Sequence, residues 1–247
     1  MPVDDSGATV PSDVAVKLAA VTPSSQFPLG GAMSYPRRMA FLDWAVSEQA
    51  YVIEDDYDSE FRFAGRPIPA LASLDISERV LYVGTFSMAL SKDIRVGYVI
   101  LPSHLRRKAT LLLEHYGLAA SVMPHAPIAA FMESGGFVRH IRRTRRIYAA
   151  RRVHLINIIR KVFQNQLLVK DHRAGMHLIA FSESPFDDIA AAKVSRDSGI
   201  TVNPISRYFW CASPDKYGFL MGFGAFAPDI QDQAMAQFYQ YIKPYLP

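Results

Sequence analysis

Between Arg37 and Gln49 the apolar residues Met39, Phe41, Leu42, Trp44 and Ala45 recur at a spacing that keeps one face of a helix apolar. The run YVIEDD that follows is short, apolar and closed by acids, as a strand buried in a parallel sheet would be. RVLYVGTF and RVGYVILP repeat that buried-strand signature. Helix followed by strand predicts a βαβ rhythm. Parallel sheets gather ligand-binding groups at the carboxyl ends of their strands, where Asp55, Thr85 and Ser87 fall. From Ser103 the pattern turns helical, Pro124 and Pro127 mark the turn before an intervening helix, and Gly136 to Phe163 is a long arginine-rich helical stretch. The last third alternates LLVKD, MHLIAFS, a helix from Asp188 to Asp197, ITVNPI, FLMGFGAF and a closing helix from Pro228 to Tyr241. The predicted fold class is α/β: a mostly parallel sheet with helices over residues 1–125, connecting helices over 126–165, and a smaller α+β domain over 166–247.

Composition narrows the class without naming a function. Of 247 residues, 50% are hydrophobic and 20% charged, values of an ordinary globular protein able to bury a core. The formal charge of +4 suits anionic ligands but is too diffuse to imply nucleic acid. One cysteine, Cys211, cannot pair internally, and no Cys/His cluster has zinc-like spacing, so a reducing cytoplasm is the expected location. The N-terminus lacks a basic start followed by an apolar run, and no stretch of about twenty apolar residues occurs, so neither secretion nor membrane spanning is expected.

Two adjoining segments, VIEDDYDSEFRFAGRPIPAL and VLYVGTFSMALSKDIRVGYVILP, carry a specific resemblance. With VTPSSQFPLGGAMSYPRR before them, and ESGGFVRHIRRTRRIYAARR, AGMHL and PISRYF after, the chain resembles the MocR-like, GntR-type transcriptional regulators over nearly its whole length. Members of that family fuse a winged helix-turn-helix to an aminotransferase-like, fold type I domain that uses pyridoxal phosphate. The resemblance implies a partial large domain of that fold followed by its small C-terminal domain.

Residue by residue, the resemblance makes Asp55 the acid that pairs with the cofactor's ring nitrogen and Tyr57 the phenol beside its ring oxygen. An acidic turn or helix cap is the plainer account of the same letters. Ser87 and Arg95 match the residues that hold the phosphate, a task to which a guanidinium fork is suited. Met88 stands where the family has the lysine that binds the cofactor covalently. A thioether forms no imine and moves no proton, so ordinary transamination is expected to be absent and the cofactor, where bound, held non-covalently. Lys92, four residues on where the family usually has proline, could share a helical face with position 88, although a surface lysine is the simpler reading. Arg207 in PISRYF is expected to bind the carboxylate of a substrate or amino-compound effector; an exposed loop arginine is the alternative. Ser25 and Leu29 replace a histidine and a threonine of the family's usual PSHQFPTG run, changing the wall near the ring.

The arginines of the 139–152 segment, with Tyr148 among them, would suit a nucleic-acid stripe, but a similar helix occurs in the family outside its DNA-binding module, so direct nucleic-acid binding is not expected. The histidines at 125, 140, 154, 172 and 177 fit no metalloprotease or hydrolase pattern and receive no chemistry. Nothing in the chain matches the winged helix-turn-helix or the first half of the fold, so the expectation is an incomplete effector domain with unpaired sheet edges, dimeric or associated with a related chain. The rival expectations are an aminotransferase that uses Lys92 or a complementary chain, and a purely structural binding module.

Overall fold

The computed structural model describes every residue except 13, 66–67, 118–123, 173, 211–213 and 215, so Cys211 lies outside the described residues. In chain order the elements are β1 (Val3–Asp4), β2 (Gly7–Ala8), β3 (Leu18–Val21), α1 (Tyr35–Ser47), β4 (Tyr51–Asp56), α2 (Leu71–Leu74), β5 (Val80–Thr85), β6 (Gly97–Ile100), α3 (Ser103–His115), α4 (His125–Glu133) and α5 (Gly136–Phe163). They continue as β7 (Leu168–Val169), β8 (His177–Ser182), α6 (Asp188–Asp197), β9 (Asn203–Pro204), a 3-10 turn (Ser206–Tyr208), β10 (Tyr217–Gly222) and α7 (Pro228–Ile242). Two compact units form, residues 1–27 with 31–143, and residues 28–30 with 144–247.

In the first unit the sheet order is β3-β4-β5-β6. β4 runs parallel to both β3 and β5, with Ala19 opposite Val52 and Ile53 opposite Leu81. α1 begins where Ser34 accepts the Arg37 N–H and Pro36 presets the first turn, and it stops before Gln49, which takes a left-handed φ of 51°. Its stripe buries Phe41, Leu42, Trp44 and Ala45 against Ala19, Val21, Val52 and Val80, so the helix covers one face of the sheet. Arg38, on the same helix, is 1% exposed and donates to the carbonyls of Met33, Pro69 and Pro23 at 3.1, 2.9 and 2.7 Å. One guanidinium thereby ties together the loops that follow β3 and precede α2.

β6 corrects the buried-strand expectation for RVGYVILP: it pairs antiparallel with β5, at the edge of the sheet, and all four of its residues are exposed. An apolar run records hydrophobicity, not whether a neighbouring strand is present to cover it. α3 next to it in sequence likewise has no buried residue.

The second unit holds an antiparallel sheet of order β7-β8-β10-β9. Its core is aromatic: Phe219 of β10 meets Phe238 of α7 edge-on at 5.1 Å between centroids, and Phe238 meets Phe163 of α5 at 5.9 Å. Asp187 caps α6 by accepting the Ala190 N–H at 2.8 Å. No helix among the described residues is long and apolar enough to cross a membrane.

Candidate functional site

Strand alternation sorts the acids of β4. Glu54 and Asp56 point with Val52 to the buried face, whereas Asp55 points to the other and is exposed. Glu54 is fully buried and accepts the Leu71 and Ala72 N–H groups at 2.7 and 2.8 Å, closing the start of α2. Burial raises its pKa, only partly offset by those donors and by Arg38. Asp56 accepts the Tyr82 hydroxyl at 2.6 Å through Oδ2, while Oδ1 is buried without a hydrogen-bond partner among the described residues. Asp55 keeps an accessible carboxylate whose pKa is raised by partial desolvation and then by the charge of Asp56. Tyr57 follows at once, half-buried. Its hydroxyl donates to the Ser25 carbonyl at 3.3 Å, and its ring meets Phe27 edge-on at 6.5 Å. Burial, then Asp58, pushes the phenol well above its usual range. The Ser25 hydroxyl beside it is buried with no hydrogen-bond partner among the described residues.

The loop after β5 carries the next group. Its base is closed by the Phe86 N–H donating to Val96 O at 2.9 Å and by the pairing of Thr85 with Gly97. Thr85 Oγ1 accepts the Ser87 N–H at 3.0 Å and donates to Val96 O at 3.3 Å. Residues 86–90 form one α-turn, with the Leu90 N–H on Phe86 O at 2.8 Å. Met88 on that turn is 37% exposed, and Ala89 is 2% exposed. Lys92 lies in a second turn, closed by the Ile94 N–H on Ser91 O at 3.1 Å, so no continuous helix carries positions 88 and 92. Arg95 is exposed and holds a left-handed φ of 52°, unusual for a residue with a side chain.

Arg207 belongs to the second unit, exposed on the Ser206–Tyr208 turn. That turn is fixed by Asp188, a 1% exposed carboxylate that accepts the Ser206 N–H at 3.1 Å, the Ser206 hydroxyl and the Gly218 N–H at 2.9 Å. Sequence reasoning passed over Asp188 because in an Asp-Asp pair at a helix start either residue serves as the cap, and the pattern does not say which is buried. His140, to which the sequence reading assigned no chemistry, places its Nε2 2.9 Å from the Ala89 carbonyl.

The arginine series divides by burial. Arg152 is buried and paired with Asp171, and Arg151 donates to the Gly224 carbonyl, whereas Arg139, Arg142, Arg143 and Arg146 are exposed. His154 contacts the Pro228 carbonyl at 3.1 Å and His177 that of Pro28 at 3.1 Å. Among the described residues no group of His, Cys, Asp and Glu is arranged to hold a metal ion.

The mixed sheet thus ends one strand with Asp55 and Tyr57 and carries Ser87 and Arg95 in the loop after the next, and comparison with known proteins supplies the family. The profile of aminotransferase class I and II matches residues 18–213, and the chain belongs to that family. Its curated relatives include the probable rhizopine catabolism regulatory protein MocR of Rhizobium meliloti, 35% identical over 86% of this chain and 43% of that protein. The HTH-type pyridoxine biosynthesis transcriptional regulator PdxR of Corynebacterium glutamicum is 31% identical over 96% of this chain and 51% of that protein. The chain thus spans about half the length of these relatives, and the resemblance to the aminotransferase-like domain of MocR-like regulators holds. Among solved structures, the kynurenine aminotransferase of Pyrococcus horikoshii superposes with a TM-score of 0.85 at 21% identity, over 99% of this chain and 63% of that one. This establishes the type I aminotransferase fold.

Proposed function

We propose that this chain is the aminotransferase-like effector part of a MocR-like transcriptional regulator, that it receives pyridoxal phosphate without covalent attachment, and that it does not transaminate. The observation that carries the reading is Met88, a thioether on the α-turn between Ser87 and Arg95 where chemistry of this class requires an amine.

The remaining donor set fits the cofactor. Glu54, Asp55, Asp56 and Asp58 crowd carboxylates into one strand end, and the pKa of Asp55 is raised first by partial desolvation and then by the charge of Asp56. A cationic ring nitrogen against Asp55 relieves that repulsion. Tyr57 presents a phenol held protonated by burial, and the unpartnered Ser25 hydroxyl beside it can accept or donate one further hydrogen bond. The Ser87 hydroxyl and the Arg95 guanidinium suit a phosphate dianion. Pyridoxal phosphate, when bound, supplies an electron-withdrawing ring. This chain's residues orient that ring and neutralise its charges, and at position 88 no proton is accepted or returned.

Residues 1–125 are then the cofactor-side body, 126–165 the connecting helices and 166–247 the small domain, in which Arg207 grips the carboxylate of an amino-compound effector. We place the protein in the cytoplasm, associated with a second copy or a related chain, with DNA contacts left to other modules.

Borohydride reduction after incubation with pyridoxal phosphate, followed by peptide mass mapping, tests the reading. Labelling absent or scattered over surface lysines is expected, and Met88→Lys is expected to concentrate it at position 88. Modification of Lys92 alone at substoichiometric cofactor would overturn the reading in favour of an aminotransferase with a displaced lysine.

A further inference from the structure

The α-turn at 86–90 stops after one turn, so the carbonyls at its end face the usual deficit of backbone donors at a helix end. The Ala89 carbonyl is nonetheless supplied, from α5, by His140 Nε2 at 2.9 Å. A carbonyl only accepts, so Nε2 carries the proton. One helical turn earlier, Phe137 meets Phe86 edge-on at 6.0 Å. Residues three apart on a helix share a face, so α5 touches both the start of the turn, at Phe86, and its interior, at Ala89. The His140 ring is itself held by Phe131 of α4, edge-on at 6.2 Å. Gly135, at a left-handed φ of 68°, makes the bend that brings α4 back onto α5.

We propose that His140 is a positioning residue that locks the 86–96 loop in the shape in which Ser87 and Arg95 face a phosphate. The inference rests on the cofactor-site reading above. Physically, the loop needs an external hold. Arg95 occupies a backbone region that a side-chain-bearing residue leaves unless its surroundings enforce it, and within the loop the enforcing contacts are the closure at Phe86–Val96 and the pairing at Thr85–Gly97. Ala89 lies between Met88 and Leu90, at the turn's buried side, so a donor on its carbonyl fixes the rotation of the whole turn. That rotation sets where the Ser87 hydroxyl and the position-88 side chain point.

The test compares the unmodified chain, His140→Ala and His140→Gln, each also in a Met88→Lys background. It reads backbone hydrogen exchange across 86–96 and across β4, together with affinity for pyridoxal phosphate. The expected result is faster exchange confined to 86–96 and about 2- to 10-fold weaker binding in His140→Ala, the range of one neutral hydrogen bond. His140→Gln, whose amide nitrogen sits where Nε2 does, should restore both. Unchanged exchange and affinity in His140→Ala would overturn the proposal, as would acceleration spread equally over β4 without rescue by Gln, which marks a merely structural histidine. If neither the unmodified chain nor Met88→Lys binds pyridoxal phosphate, the cofactor reading falls, while the exchange comparison still decides whether His140 holds the loop.

Discussion

Arg95 shows how a single position trades stability for binding. A left-handed conformation costs a residue with Cβ about 1 kcal/mol or more, a cost glycine escapes. Arg95→Gly should therefore leave thermal stability unchanged or raise it by up to about 1 kcal/mol, while weakening pyridoxal phosphate binding by removing a charge-assisted contact worth about 1.5–3 kcal/mol. A denaturant titration and a binding isotherm on the same sample check both halves; loss of stability with binding intact would count against the assignment. Asp55 makes a pH-dependent prediction. Partial desolvation, then the charge of Asp56, raises its pKa, and a cationic ring nitrogen favours the ionised form. Affinity for pyridoxal phosphate should rise as pH increases through that raised pKa, and Asp55→Asn should bind weakly with most of the dependence gone. Fluorescence titration from mildly acid to neutral pH reads this directly.

At the scale of elements, the Asp188 carboxylate binds together the start of α6, the turn bearing Arg207 and the start of β10. It reaches the Gly218 N–H because Gly218 has a φ of 146° and no side chain; a Cβ there would collide with the backbone of Ala180 and Phe181 in β8. Gly218→Ala is expected to destabilise the protein by about 2–4 kcal/mol through strain and lost strand pairing, against about 1–3 kcal/mol for Asp188→Ala through the orphaned donors. Chemical denaturation of the two variants ranks them. Much of the element layout was legible in the sequence: YVIEDD, the Gly136 to Phe163 helix and the closing α7 lie where their periodicities put them, because packing against one partner is written into a local repeat. The sheet order was not legible, nor was the antiparallel, uncovered β6, because strand pairing depends on residues distant in sequence. The proposed site rests on letters the sequence already carries, Asp55, Tyr57, Ser87 and Arg95. What was invisible is which residues brace these segments, Asp188 under the turn that bears Arg207 and His140 against Ala89, since hydrogen bonds spanning 30 and 51 residues leave no local trace.

At the scale of the whole chain, His177 in the second unit and the Glu54 and Asp55 carboxyls in the first respond to acid with opposite signs. In the second unit His177 is half-buried against the Pro28 carbonyl, and desolvation holds its pKa below the ordinary 6.5. The unfolded chain then takes up the proton first, so the stability of that unit is complete above about pH 6.5 and declines as pH falls through this value toward the lower, folded pKa. In the first unit Glu54 and Asp55 have raised pKa values, dominated by burial. The folded state here takes up the proton first, so their contribution is most favourable in acid and is lost as pH rises from the unfolded value through the folded one. Mild acid should therefore loosen the 144–247 unit before the unit built around β4. Hydrogen exchange resolved by segment gives the comparison, since the opening free energy of each cooperative region is read separately. Between neutral pH and about pH 5.5 the protection of β8 and β10 should fall while that of β4 and β5 holds or improves. His177→Gln, which keeps a polar nitrogen but does not titrate, should flatten the decline in β8 and β10. If the acid loss survives that substitution, the sensitivity belongs to other groups of the second unit and the role assigned to His177 is wrong.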